Sequence, residues 1–165
     1  MEKKPASSYT IRFTDCDPFG HLNNARYLDY FLNAREDHIK THYNMDLLTY
    51  YKQGISWFVG SHEIVYLKPA NYNEIVRIQS SLIEATEDGL LVELLMTNEE
   101  ATHIKSLAWT RFIPVNVKTG RKENHTPDFM EFLRTVHNDE VNVEEGLKKR
   151  VSLLIGGLKR ESAPL

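Results

Sequence analysis

Asp15-Cys16-Asp17-Pro18-Phe19-Gly20-His21-Leu22-Asn23-Asn24 is the stretch whose reading decides the fold. Pro18 fixes φ and Gly20 permits a left-handed residue, so the segment is a tight turn. Asn23 and Asn24 are residue types that accept hydrogen bonds from the first free N–H groups of a helix. They predict a helix over about residues 25–42. On it Tyr27, Phe31, Ala34 and His38 are spaced by four, three and four and form one face. Arg26, Asp29, Asn33, Glu36, Asp37 and Lys40 take the rest. Before the turn, Tyr9–Thr14 alternates apolar and polar residues and reads as a strand.

Downstream of the helix, a tyrosine-rich connector (Tyr43 to Gln53) leads into four β-like runs: Ile55–Leu67, Glu74–Glu84, Leu90–Asn98 and Ile104–Val117. The breaks between them are turn-like: Lys68-Pro69-Ala70-Asn71, Glu87-Asp88-Gly89 and Glu99 to Thr102. Connectors this short predict antiparallel neighbours in a meander, because a parallel crossover needs a dozen residues or more. Thr126 or Asp128 caps a short helix through Arg134. Leu147, Val151, Leu154 and Leu158 return to helical spacing, with Gly156-Gly157 weakening the end.

The chain therefore reads as α+β: a five-stranded antiparallel sheet with one long helix and a C-terminal helical tail. Residues 1–136 form the domain, and 137–165 are its helical extension. One helix covers one sheet face, and Leu90-Leu91-Val92 and Leu94-Leu95-Met96 carry no clean alternation. A second copy is the simplest cover for the other face, so a homodimer or homotetramer is expected, with the tail packed on the oligomer.

Composition narrows the function. The 165 residues carry a net charge of −3 and no long basic run, which disfavours nucleic acid as a partner. One cysteine, Cys16, excludes a disulfide framework, and the flanking carboxylates disfavour its thiolate. The seven histidines lack ligand spacing, so neither a metal nor another cofactor is expected. No apolar run is long enough to span a membrane, and the start has no apolar signal core; a cytoplasmic protein is expected.

In the turn, a carboxylate feeds directly into a helix N-terminus with its unpaired N–H groups and positive dipole end. Such a place stabilises a developing oxyanion, and a nearby carboxylate can act as general base or nucleophile. The plainer alternative is that Asp15 and Asp17 only form the turn and the asparagines only cap.

The run from Asp15 to Asn24, continued by Ala25-Arg26-Tyr27, resembles the signature of hotdog-fold acyl-CoA thioesterases of the 4-hydroxybenzoyl-CoA thioesterase type. Its Gly-His-x-Asn-Asn core is similar to that of acyl-acyl-carrier-protein thioesterases as well. A strand-end Tyr-x-x-Pro motif is matched by Tyr66-Leu67-Lys68-Pro69. The resemblance covers about Tyr9 to Phe132. It implies a hotdog fold, with the sheet wrapped around the helix, and hydrolysis of an acyl thioester to a free acid and coenzyme A. The thioester of coenzyme A or of an acyl carrier protein is the expected substrate, without any cofactor.

By resemblance Asp17 is the catalytic carboxylate, while Gly20 and the backbone N–H groups from His21 to Asn24 polarise the thioester carbonyl. His21 is the second catalytic candidate, although it could simply hold the turn. Asn24 and Tyr27 complete this side of the site. The other side is implied to come from a partner's strand before Pro69, where Ser61, Glu63 and Val65 share one face and His62 and Ile64 the other. Ser61 or Glu63 would position water or substrate if that face lines the cleft. Lys68, Arg77, Lys105, Arg111, Arg121 and Lys122 are candidates for the coenzyme A phosphates. The apolar helix face with Tyr43, Tyr50 and Tyr51 is the expected acyl tunnel. A catalytically silent acyl-thioester binding module is the rival from another class.

Overall fold

A computed structural model describes residues 1–161; the last four residues of the expected extension lie outside it. The elements in chain order are β1 (Ala6–Thr10), α1 (Tyr27–Tyr43), α2 (Leu47–Lys52), β2 (Ile55–Tyr66), β3 (Ile75–Thr86), β4 (Gly89–Asn98), β5 (Ile104–Asn116), β6 (Arg121–Lys122), α3 (Pro127–Val136) and α4 (Gly146–Glu161). The long helix starts through a 3-10 turn at Asn24–Arg26, which Asn23 caps by accepting from the Ala25 N–H. Tyr27, Phe31, Ala34 and His38 are all buried, as their spacing requires. α2 falls inside the expected connector and is capped by Asp46.

The sheet order is β1-β3-β4-β5-β2, with every pairing antiparallel and β6 added beside β5. The simple meander is corrected at one point: β2 and β3 are not neighbours. Their connector crosses the end of the sheet instead. Leu67 and Lys68 N–H bond to the Lys105 carbonyl, and Leu22 and Tyr72 N–H bond to the Ala70 and Gly20 carbonyls. Crossing to β3 spans three strand spacings, about 14 Å, well within the reach of eight residues. The first strand also differs. It ends at Thr10, because Phe13–Asp15 closes into a 3-10 turn, and begins at Ala6, where β3 supplies the partners that the sequence Ala6-Ser7-Ser8 does not advertise.

One core lies between α1 and the sheet, around Phe31, Ile78, Leu94 and Met96. A second lies on the opposite sheet face, where Leu147 and Val151 of α4 meet Ile83, Leu95, Leu107 and Trp109. The tail therefore packs on its own sheet and supplies the cover expected from a second copy. What stays open is the β2 edge, with Phe58 and Val59 exposed.

Candidate active site

The turn holds the Asp17 carboxylate by its own backbone. Asp17 Oδ1 accepts from the N–H groups of Phe19 (2.9 Å) and His21 (3.1 Å), and the Asp17 N–H donates to the His21 carbonyl at 2.8 Å. Gly20 sits at φ +75°, the left-handed region that closes this loop without a Cβ penalty. Both side-chain bonds use Oδ1, which leaves Oδ2 for the cleft. Asp15 is committed elsewhere: its Oδ2 accepts from the Tyr30 hydroxyl at 2.7 Å.

Asp17, His21, Asn24, Tyr27, Tyr66 and Lys68 line one cleft of about 340 Å³. Its floor is polar in a defined way. Tyr27 is buried, its oxygen accepts from the Ala70 N–H, and its ring meets Tyr66 edge-on at 5.0 Å. Burial raises the pKa of both phenols. The Tyr66 hydroxyl donates to the Asn24 carbonyl at 2.9 Å, tying the strand end to the helix entry. Beneath them Lys105 Nζ bonds the Pro69 carbonyl and pairs with Glu74 at 2.9 Å. Burial alone would raise the Glu74 carboxyl, but bonds from Asn71 and Lys105 outweigh it and hold it low.

This geometry sorts the candidates. Lys68 is the one phosphate-binding candidate lining the cleft among the described residues; Lys105 is buried in its ion pair, and Arg111 pairs with Glu84. Tyr66 joins the site through the Tyr-x-x-Pro motif, which marked the strand end without revealing its hydroxyl contact. Cys16 bonds the Arg12 carbonyl, and burial followed by Asp15 and Asp17 raises its pKa.

Ser61 and Glu63 lie on the sheet face turned toward α4, opposite the face that packs on α1. Glu63 lies opposite Trp109 and Val65 opposite Leu107, residues of the α4-side core. His62 lies opposite Thr110 and Ile64 opposite Ala108, on the α1 side. His62 Nδ1 and Thr110 Oγ1 are 2.8 Å apart, and burial lowers the His62 pKa. A bulge between Val59 and Ser61 sets this parity, so Trp57 and Val59 before it share the inner face with His62 and Ile64 after it. Gly60 is required there, since a Cβ would stand 2.9 Å from Ile113 Cγ1.

Two further spaces lie toward the other end of α1. One, about 650 Å³, is rimmed by Tyr50, His125 and Asn116; the other, about 310 Å³ and mostly apolar, lies over Leu82, Val92 and Phe112. Tyr43, Trp57, Phe129 and Phe132 line both and stand between them. Of the expected tunnel, Tyr43 and Tyr50 are found here. Tyr51 is exposed outside the lining, and the Tyr27–His38 face is filled by the sheet.

Residues 11–135 match the thioesterase-like superfamily. The chain belongs to that superfamily. Long-chain acyl-CoA thioesterase FadM of Escherichia coli is 26% identical over 109 residues, spanning 66% of this chain and 81% of that protein. Among solved structures, DHNA-CoA thioesterase from Staphylococcus aureus aligns with a TM-score of 0.75 at 20% identity, over 87% of this chain and 96% of that one. The hypothetical protein SAV2348 from the same species, solved in complex with CoA, gives 0.74 at 15% over 87% and 90%. These likenesses confirm the hotdog arrangement of curled sheet and central helix. Superfamily membership makes the chain a thioester hydrolase by class.

Proposed function

We propose that this chain hydrolyses acyl-CoA thioesters, with Asp17 as general base or nucleophile. The observation that carries the reading is the Asp17 carboxylate, fixed by two backbone N–H groups at the mouth of a cleft that ends at the start of α1. The two backbone bonds orient the carboxylate, and Oδ2 remains for water or the thioester carbon. The N–H groups of His21, Leu22 and Asn23 already donate to Asp17, Ala70 and Asp15. Of the entry the sequence pointed to, the Asn24 N–H at the positive end of α1 is therefore the donor that polarises the carbonyl as negative charge develops on its oxygen. His21 lines the cleft beside Asp17 and positions the thioester. The free acid and coenzyme A then leave without any cofactor. Lys68 at the rim offers a cation to the phosphates or to a carrier protein. The Asp15–Asn24 turn favours the 4-hydroxybenzoyl-CoA thioesterase type within the superfamily.

The working unit is a dimer joined along β2. That edge is twelve residues long, exposes apolar side chains and carries no proline. Antiparallel pairing of two such edges sets the Tyr66 end of one beside the Ile55 end of the other, so each cleft borders its partner's apolar space. Ser61 and Glu63 then stand on the outer face of the joined sheet.

Asp17→Asn tests the chemistry. It keeps the Oδ1 bonds, so unfolding temperature is expected to stay near the parent's while thioester turnover falls about 10²–10⁴-fold. Turnover at the parent rate would overturn the assignment and favour a binding module. Light scattering at micromolar concentration tests the assembly: a monomer's 19.2 kDa would overturn the dimer.

A further inference from the structure

The apolar space at the C-terminal end of α1 contains a cation with no counter-ion. It runs across the inner sheet face from Val59 on β2, past Phe112 and Val92, to Leu82 on β3. Three strand spacings make that about 14 Å. Its volume, about 310 Å³, holds roughly ten water-sized groups, and a methylene is about that size. Val59 on the β2 edge and Asn33 and Glu36 on α1 are exposed and mark its mouth.

At the far end stands Arg35. One of its nitrogens donates to Ser80 Oγ on β3 at 3.0 Å, and its guanidinium lies 5.7 Å from the centre of the Tyr43 ring. No carboxylate forms an ion pair with it among the described residues. Glu36 borders the same space but belongs to the mouth, a quarter-turn around α1 from Arg35. A guanidinium has five N–H donors, and its partners Ser80 and the Tyr43 hydroxyl are both uncharged, which leaves donors for an anion. Leaving a withdrawn cation unpaired is costly, while an anion meeting its planar fork makes short, strong bonds. Burial lowers the Arg35 pKa, and the Tyr43 hydroxyl partly offsets it.

We propose that this space receives an acyl chain ending in a carboxylate, whose terminal group Arg35 binds. The inference rests on the thioesterase reading and names its substrate class, the thioesters of dicarboxylic acids of medium length. The thioester end lies at the Asp17 cleft of the partner subunit across the β2 seam, and the methylenes fill the apolar space. Arg35 replaces the hydration that the far carboxylate loses on entry.

The experiment compares decanoyl-CoA with sebacoyl-CoA, which differ only in the terminal carboxylate, for the parent, Arg35→Lys and Arg35→Met. The parent is expected to favour sebacoyl-CoA in kcat/KM. Arg35→Met should lower that ratio by about 10–100-fold, the range for a hydrogen bond to a charged group, and Arg35→Lys should keep part of it. Acetyl-CoA, too short to reach Arg35, reports whether each variant is folded and active. A parent that prefers decanoyl-CoA, or an unchanged ratio in an Arg35→Met variant active on acetyl-CoA, overturns the proposal. Calorimetric titration with free sebacate gives a readout that needs no turnover: binding lost in Arg35→Met supports the site, and no binding to the parent overturns it. If the parent hydrolyses no thioester yet binds sebacate through Arg35, the enzymatic reading fails and the carboxylate site stands.

Discussion

Arg150 of α4 grips Glu93 of β4 through two parallel hydrogen bonds of 2.8 Å, and Trp109 Nε1 adds a third at 3.0 Å. The Glu93 side chain is 2% exposed, so this carboxylate lies inside the second core with every bond supplied by protein. Two planar groups meeting this way specify one seat for α4 on the sheet.

Removing one partner should therefore hurt more than removing both. Arg150→Met is expected to destabilise by about 3–5 kcal/mol, because it strands a buried charge. Adding Glu93→Gln to it should recover most of that loss, since it removes the stranded charge and keeps an acceptor for Trp109 Nε1. Urea unfolding of the two variants checks this; equal stability would mean the pair is solvated in solution.

Asp15 and Asp17 separate along the same reasoning. Asp15 accepts from Tyr30, so Asp15→Asn should keep thioester turnover within a few-fold. Tyr30→Phe should cost about 1 kcal/mol of stability while leaving turnover in place. Steady-state kinetics beside thermal unfolding tests the division. An Asp15→Asn variant as inactive as Asp17→Asn would place both carboxylates in the chemistry.

His38 makes the fold acid-sensitive. Its ring joins Ser80 and Ser7 at 2.7 and 2.8 Å, Arg35 donates to Ser80, and Ser7 donates to Tyr9, which donates to Asp37. A single neutral tautomer satisfies this relay, with Nδ1 accepting and Nε2–H donating. Burial, with Arg35 and His42 adding, pushes the pKa down from 6.5 to about 4. The unfolded chain then binds the proton more readily, so stability is full above pH 6.5 and falls as pH drops toward 4, by up to about 1.4 kcal/mol per unit. Melting temperature measured from pH 7 to pH 5 should decline, and His38→Gln should flatten that decline. A slope unchanged in the variant would assign it to other groups.

Gly60 guards the parity of β2. Gly60→Ala is expected to cost about 1–3 kcal/mol, because Ile113 must yield to the new methyl. If strand pairing instead slips to remove the bulge, His62 and Ile64 would exchange faces with Ser61 and Glu63, and the dimer seam would change with them. Chemical denaturation together with light scattering distinguishes a simple loss of stability from a changed assembly.

The sequence by itself determined the elements and the position of the turn chemistry. Helical spacing from Tyr27 to His38, β-rich runs from Ile55 onward, and Pro18 and Gly20 around Asp17 act over a few residues, so they are legible locally. Tertiary structure decided what local signals cannot carry. The crossing of the Leu67–Glu74 connector depends on bonds to Gly20, Leu22 and Lys105, distant in the chain. The face of β2 turned toward α1 depends on a bulge at Gly60, where a Cβ would crowd Ile113. Leu147 and Val151 showed a helix but not its seat, because Glu93 reads as an ordinary surface charge until Arg150 is brought to it. Arg35 likewise reads as one more polar residue on an amphipathic helix. Only the packing of α1 against β3 half-buries it and sets its charge beside an apolar space, since burial belongs to the fold rather than to any one segment.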